Sequence, residues 1–224
     1  MLIVRPPCRS HAFTLLELLT VIAILAILGG IGLGVIRSTK QRANISRAKA
    51  ELSLLVQALE DYKRYYGDYP QTGPSAANSQ RVTGTAGPGV NAAQARLFNA
   101  LIGVYGPTNF NVPQNGPLFV DVTKLSLDVA LVNSAFAIAS GTPPAKRATS
   151  NAFVDPWGNR YMYFYKTTSL PGRPPVAWNA PSFILYSTGP DGASTTLPNA
   201  IGIFSGTTQT TGDNADNLYA DKLP

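Results

Sequence analysis

The apolar run from Phe13 to Ile36 constrains this chain more than any other feature of its sequence. The run exceeds the ~20 residues that a helix needs to span the hydrocarbon core of a bilayer. Glu17 is the single ionisable residue within it. An acid at the bilayer centre costs roughly 2.5–3.5 kcal/mol on insertion scales, so it needs a cationic partner or a position facing other helices. The run therefore predicts a transmembrane helix that carries one functional carboxylate.

A short basic leader precedes the apolar run, and this order is the reverse of a secretory signal, where the cleavage site follows the apolar region. The leader contains Arg5 and Arg9, and the small residue Ala12 directly precedes Phe13. Cleavage between Ala12 and Phe13 would create a new α-amino group. In a helical array, that amine of one subunit would meet Glu17 of its neighbour and neutralise both charges. The alternative is a plain signal-anchor whose Glu17 lies at the membrane interface.

The apolar pattern continues beyond Ile36 but becomes one-sided. Apolar residues recur at steps of three and four, which is the spacing of an amphipathic helix, and no proline interrupts residues 13–66. The glycine cluster from Gly29 to Gly34 weakens helix propensity by up to about 1 kcal/mol per residue. It predicts a loosened segment, or alternatively a close approach of helices in the membrane. The apolar face comprises Ile45, Ala48, Leu52, Leu55, Val56, Leu59 and Tyr62.

The remainder of the chain predicts a small α+β domain. Gly67 followed by Pro70 marks the end of the long helix. Antiparallel strands covering one face of that helix would complete the core. The predicted elements are a helix at 92–102, strands at 161–165, 182–187 and 200–204, loops at 71–91 and 141–151, and an ambiguous stretch at 118–140.

Cysteine and histidine usage argues against most enzyme classes. Cys8 is the only cysteine and His11 the only histidine, and both would leave with the leader. The mature chain would then lack a cysteine nucleophile, a Ser-His-Asp relay and a histidine-ligated metal. A single thiol also cannot form an intramolecular disulfide. We therefore expect a protein that is not an enzyme.

Charge is concentrated directly after the apolar run. The chain carries a net charge of +6, and the window from residue 37 to 49 contains cations but no acid. Such a window is compatible with nucleic-acid binding, but its position beside an apolar helix favours a belt at anionic lipid head groups. We therefore do not expect nucleic acid as a partner. The cations of the window are Arg37, Lys40, Arg42, Arg47 and Lys49.

The segment Ala12-Phe13-Thr14-Leu15-Leu16-Glu17-Leu18-Leu19 resembles the N-terminus of type IV prepilins and type II secretion pseudopilins. In that family a prepilin peptidase cuts directly before the Phe and methylates its amine, and the Glu guides subunit assembly. The resemblance implies that Ala12 and Phe13 form the processing and methylation site and that Glu17 is the assembly residue. The family usually has Gly at the position of Ala12.

Later blocks resemble the major, G-type pseudopilin of type II secretion systems. They are the helix exit 58–70 and the segments 155–159, 185–192 and 213–216, in the family's order. Inserts at 71–91, 125–150 and 193–212 exceed the family pattern.

In the major pseudopilins a C-terminal loop holds calcium through Asp carboxylates and backbone carbonyls, which suits an ion that takes roughly six to eight oxygen ligands. The resemblance implies Asp191, Asp213, Asp216 and the carbonyl of Thr188 as ligands. Alternatively, Asp191 only forms a turn and the other acids are solvated.

The resemblance implies a pilin-like α+β fold with a leader at 1–12, a transmembrane assembly helix at 13–36, an amphipathic continuation at 37–70 and a periplasmic domain at 71–224. It implies a single-pass protein of the bacterial inner membrane. This subunit would polymerise with its own copies and other pseudopilins into a periplasmic pseudopilus that, with the inner-membrane platform, drives protein export. The positive-inside rule alone would place the C-terminal side in the cytoplasm. The alternatives are a type IV pilus subunit and a DNA-uptake pilin.

Overall fold

The computed structural model describes residues 15–71, 93–108, 114–128, 151–166, 178–194 and 215–220, together with 198, 202–203 and 212, but not the side chains of 29–37 and 93. In these residues the chain forms two helices, α1 (Leu15–Tyr66) and α2 (Ala93–Leu101). Five short strands follow, β1 (Ser126–Leu127), β2 (Phe153–Val154), β3 (Met162–Phe164), β4 (Ile184–Ser187) and β5 (Leu218–Tyr219). The chain divides into two compact units, Met1–Ala43 and Asn44–Pro224.

The first unit contains the N-terminal part of α1. Side chains from Leu15 to Leu28 are all exposed within this unit. The backbone remains helical through the glycine cluster, so the predicted continuous helix is confirmed from Leu15 onward and the predicted loosening is not seen. Among the described residues, no helix combines the length and apolar character required to cross a membrane.

The second unit is organised around one face of α1. The face predicted from residue spacing is the one that packs into the core, and burial of each large apolar side chain contributes about 1.5–3 kcal/mol. Tertiary packing of this face therefore stabilises the helix more than propensity does. Ala48, Leu52, Leu55, Leu59 and Tyr62 are buried, whereas Ile45 and Val56 are half-buried. Opposite α1 the core contains Leu97, Phe98, Leu101, Phe153, Tyr161, Tyr163 and Leu185.

Two small antiparallel sheets complete this core. β1 pairs with β2, and Ser126 lies opposite Val154. In the other sheet the strand order is β3-β4-β5, with Tyr163 opposite Leu185. The observed architecture is an N-terminal helix packed on small antiparallel sheets, which confirms the predicted α+β fold class.

Strand prediction was correct for two of the three strands of the larger sheet. The stretches 161–165 and 182–187 contain β3 and β4, but the third strand is β5. Gly202 and Ile203 form no strand, and the rest of the predicted strand at 200–204 lies outside the described residues. β5 has only two residues and therefore offers no alternating pattern that sequence reasoning can detect.

The helix predicted at 92–102 is confirmed as α2. Within the ambiguous stretch 118–140, the described part contains a 3₁₀ turn at Val122–Lys124 and then β1. Of the predicted loops at 71–91 and 141–151, only Gln71 and Asn151 are described. Asn151 is buried, so the surface assignment is wrong at that position.

Asp68 anchors the exit of α1. Gly67 ends the helix with φ +83°, and its N–H donates to the Lys63 carbonyl at 2.7 Å. The Asp68 carboxylate then accepts the Tyr165 hydroxyl at 2.9 Å and pairs with the Lys166 ammonium at 2.6 Å. It also accepts the Gln71 amide at 2.8 Å. One acid therefore ties the end of the helix to the residues that follow β3.

Replacing Asp68 by Asn should make stability less dependent on pH. Burial alone would raise the pKa of Asp68, but hydrogen bonds from Lys166, Tyr165, Gln71 and the Tyr69 N–H outweigh it and lower the pKa below its usual 3.8. The carboxylate therefore stabilises the folded chain above its unfolded pKa, and this stabilisation is lost as pH falls through the folded pKa. Urea unfolding should show a lower free energy of unfolding for Asp68→Asn than for the wild type at about pH 7, and a smaller difference between them at about pH 3.

Asp61→Asn is the matched control for this experiment. Asp61 forms an exposed pair with Arg64 at 3.1 Å, so its loss should change the free energy of unfolding by less than about 1 kcal/mol. An Asp68→Asn loss of equal size at both pH values would contradict an ionic role for Asp68.

Candidate functional site

The structure describes Glu17, the predicted assembly residue, whereas Ala12 and Phe13, the predicted processing and methylation site, lie outside the described residues. It lies in the first turn of α1 and is exposed. The Thr20 hydroxyl donates to the Glu17 backbone carbonyl at 2.9 Å. The Glu17 side chain is therefore accessible to a neighbouring chain.

The surface around Glu17 is almost entirely apolar. The exposed fraction of its large side chains ranges from 46% at Val21 to 87% at Leu15. Contiguous apolar surface of this kind on a single chain marks contact with lipid or with other protein chains. The Glu17 carboxylate therefore lies within a surface that is expected to contact lipid or other protein chains.

A second candidate site is built on the turn that follows β2. The Asp155 carboxylate accepts the Trp157 N–H at 3.0 Å and the Asn159 N–H at 2.8 Å. The Gly158 N–H donates to the Asp155 carbonyl at 2.9 Å and closes the turn. Burial raises the pKa of Asp155, while hydrogen bonds from Ser187, Asn159 and Trp157 act in the opposite direction. The predicted tight turn at 155–159 is confirmed.

The same turn is hydrogen-bonded to the loop that follows β4. The Ser187 hydroxyl donates to Asp155 Oδ2 at 2.6 Å and accepts the Gly189 N–H at 3.1 Å. The Asn159 side-chain amide donates to the Gly189 carbonyl at 2.8 Å. Two of the blocks that carried the family resemblance, 155–159 and 185–192, are therefore parts of one hydrogen-bonded cluster.

The structure places the backbone of Asp191 beside the carboxylate of Asp216 at this loop. Asp216 Oδ2 accepts the Asp191 N–H at 3.4 Å, and a Cβ on Gly189 would lie 2.8 Å from the same oxygen. Thr188 is fully buried, and its hydroxyl makes no hydrogen bond with the part of the chain that the structure describes. Asp213 lies outside that part.

These groups suit a hard cation such as calcium, which prefers oxygen ligands. Asp191 and Asp216 supply carboxylates, and Thr188 supplies, besides its predicted carbonyl, a buried hydroxyl with no hydrogen-bond partner among the described residues. The described residues, which do not include Asp213, contain no group of three or more His, Cys, Asp or Glu side chains that could hold a metal. The structure shows the alternative role of Asp191 as a turn former, because its carboxylate accepts the Ala193 N–H at 2.8 Å.

Arg47 departs from the predicted lipid-facing belt. Its guanidinium donates to Glu51 at 2.8 Å and to the Ser126 hydroxyl at 2.7 Å. Glu51 is buried and also accepts the Tyr161 hydroxyl at 2.8 Å. Arg47 therefore ties α1 to β1 and is not a free surface cation. The Arg47–Glu51 spacing of four residues is a helix ion-pair signal readable from sequence.

The sequence did not predict the buried ion pair between Asp128 and Arg160. Arg160 Nη2 lies 2.7 Å from Asp128 Oδ2, and both side chains are almost completely buried. Removal of either partner would leave an uncompensated charge in the interior, at a cost of about 3–5 kcal/mol. No local pattern connects residues this far apart in the chain.

Comparison with known proteins gives a match at the N-terminus of the chain. Residues 8–33 match the prokaryotic N-terminal methylation motif. No curated protein and no solved structure matches the chain. The matched segment includes Ala12, Phe13 and Glu17. The motif indicates a type IV pilin-like, membrane-anchored precursor that a prepilin peptidase processes and that assembles into pilus-like oligomers.

Gly189→Ala should disturb the second site more than Gly158→Ala. Both glycines have positive φ, but a Cβ at Gly158 meets nothing within 4 Å, whereas one at Gly189 would approach Asp216 closely. The shared backbone cost is about 1–2 kcal/mol. Overpacking at Gly189 should add about 1–3 kcal/mol, as measured by urea unfolding. Equal losses for the two variants would contradict the close packing of Gly189 on Asp216.

Proposed function

We propose that this protein is a structural subunit of a type II secretion pseudopilus. The observation that carries the proposal is Glu17, an exposed acid in an apolar helical surface inside the N-terminal methylation motif. The order of the later blocks supports a pseudopilin. So does the absence of a cysteine after Cys8, because type IV pilins often carry a C-terminal disulfide.

Assembly would proceed through a charge pair between subunits. Cleavage after Ala12 frees the amine of Phe13, and this amine pairs with Glu17 of the adjacent copy. Two unit charges ~4 Å apart attract by about 4 kcal/mol at an effective dielectric constant near 20. That is comparable to the roughly 2.5–3.5 kcal/mol needed to bury an acid in a membrane. The pair therefore makes burial of Glu17 tolerable in one register between neighbouring helices.

The remaining parts of the chain have corresponding roles. Residues 13–36 anchor the precursor in the inner membrane before assembly and form the helical core of the fibre afterwards. The second unit lies in the periplasm and contacts its own copies and other pseudopilins. Growth of the fibre from the inner-membrane platform pushes folded substrates outward.

Glu17→Ala should abolish fibres without blocking processing. Mass spectrometry should show a chain beginning at Phe13, and fractionation should still find it in the membrane, because the apolar run is intact. Electron microscopy should show no fibres, whereas the charge-retaining control Glu17→Asp should form some. Normal fibres from Glu17→Ala would contradict the charge pair, as would residues 1–12 remaining on the native protein.

Deletion of the gene separates secretion from the alternative functions. Loss of protein export across the outer membrane, restored by the wild-type chain, supports the pseudopilus. Intact export with loss of surface pili or of DNA uptake would identify a type IV pilus or DNA-uptake subunit.

We also propose that Asp191, Asp213, Asp216 and Thr188 hold calcium. The ion would neutralise the carboxylates and join the loop after β4 to the segment before β5. Calcium at about 100 times its Kd should stabilise the folded chain by about 2.7 kcal/mol relative to a chelator. Urea unfolding should show this gain in the wild type and in Asp61→Asn, but not in Asp216→Asn. No gain in the wild type would contradict the calcium proposal.

A further inference from the structure

The buried carboxylate of Asp155 is connected by hydrogen bonds to the proposed calcium loop through Ser187 at the end of β4. Asp155 Oδ2 accepts the Ser187 hydroxyl at 2.6 Å, and Ser187 Oγ accepts the Gly189 N–H at 3.1 Å. The side chains of Asp155 and Ser187 are both buried. This is a continuous path of two hydrogen bonds that ends on the backbone of the loop.

A second path starts from the same carboxylate. Asp155 Oδ1 accepts the Asn159 N–H at 2.8 Å, and the Asn159 side-chain amide donates to the Gly189 carbonyl at 2.8 Å. Both polar backbone groups of Gly189 are therefore held by partners that Asp155 itself fixes. Gly189 is flanked by Thr188 and Pro190, and its backbone packs against Asp216.

We infer that Asp155 is a positioning residue for calcium, acting through Ser187 and Asn159 without touching the ion. This inference rests on the calcium part of the proposed function. By fixing Gly189, Asp155 sets where Thr188 and Asp191 lie relative to Asp216. Residues that orient ligands from outside a metal site typically change affinity about 10–100-fold when they are removed.

Ser187→Ala is the sharpest test, because it cuts one path and spares the turn. It removes the hydroxyl between Asp155 and Gly189 but leaves the Asp155 bonds to Trp157 and Asn159. Thr123→Ala is the matched control, since the Thr123 hydroxyl donates to the Asp121 carboxylate at the same 2.6 Å in a different part of the domain. The two variants lose the same type of bond, which is buried beside the loop at Ser187 and exposed elsewhere at Thr123.

Calcium titration of the full processed chain by calorimetry gives the first readout. Ser187→Ala should raise the calcium Kd about 10–100-fold, whereas Thr123→Ala should stay within about threefold of the wild type. A Ser187→Ala Kd within that threefold range, with the wild type binding calcium, would overturn the positioning role.

Amide hydrogen exchange in the presence of a chelator gives a second readout that does not need bound calcium. Ser187→Ala should speed exchange of the Gly189 and Asp191 N–H groups at least about tenfold, because the loop loses its hydrogen bond from the Gly189 N–H to Ser187. Unchanged exchange would overturn the inference. Faster exchange in a chain that binds no calcium would overturn the calcium proposal and, with it, the positioning of ligands. The two failures are therefore distinguishable.

Discussion

The second unit depends on burial of one face of α1 beneath the sheets and α2. Leu52, Leu55, Leu59 and Tyr62 are completely buried there. None of the strands exceeds four residues in the described chain, and short strands have little independent stability. The helix therefore supplies the apolar surface on which such short strands can persist. Loss of that face would remove support from both sheets at once.

Three carboxylates fix the alignment of these packed elements. Each accepts a hydrogen bond from a hydroxyl group in or next to a strand. Glu51 accepts from Tyr161, Asp68 accepts from Tyr165 and Asp155 accepts from Ser187. Hydrophobic burial is non-directional, whereas a hydrogen bond to a carboxylate requires a defined geometry. Burial of the apolar face therefore brings the elements together, and these directional hydrogen bonds determine how the elements align. The candidate calcium loop lies at the end of the third bond, which links its geometry to that of the core.

Sequence reasoning succeeded where the signal is local and periodic. The spacing of apolar residues located the packed face of α1, Gly67 marked its end, and aromatic density located β3. It failed where the signal is short or nonlocal. Two residues at Leu218–Tyr219 are too few to show alternation. The Asp128–Arg160 pair joins residues whose proximity depends on the folded chain.

The sequence by itself carries the N-terminal methylation motif, because the leader, Phe13 and Glu17 are close together in the chain and their spacing carries the information. It also determined the α+β class through periodicity. Only the tertiary structure decided that Asp191 and Asp216 meet, that Arg47 turns toward Ser126, and that Asp155 reaches the loop through Ser187. These contacts join residues far apart in sequence, and their distances are fixed only when packing of the apolar face has brought the chain segments together.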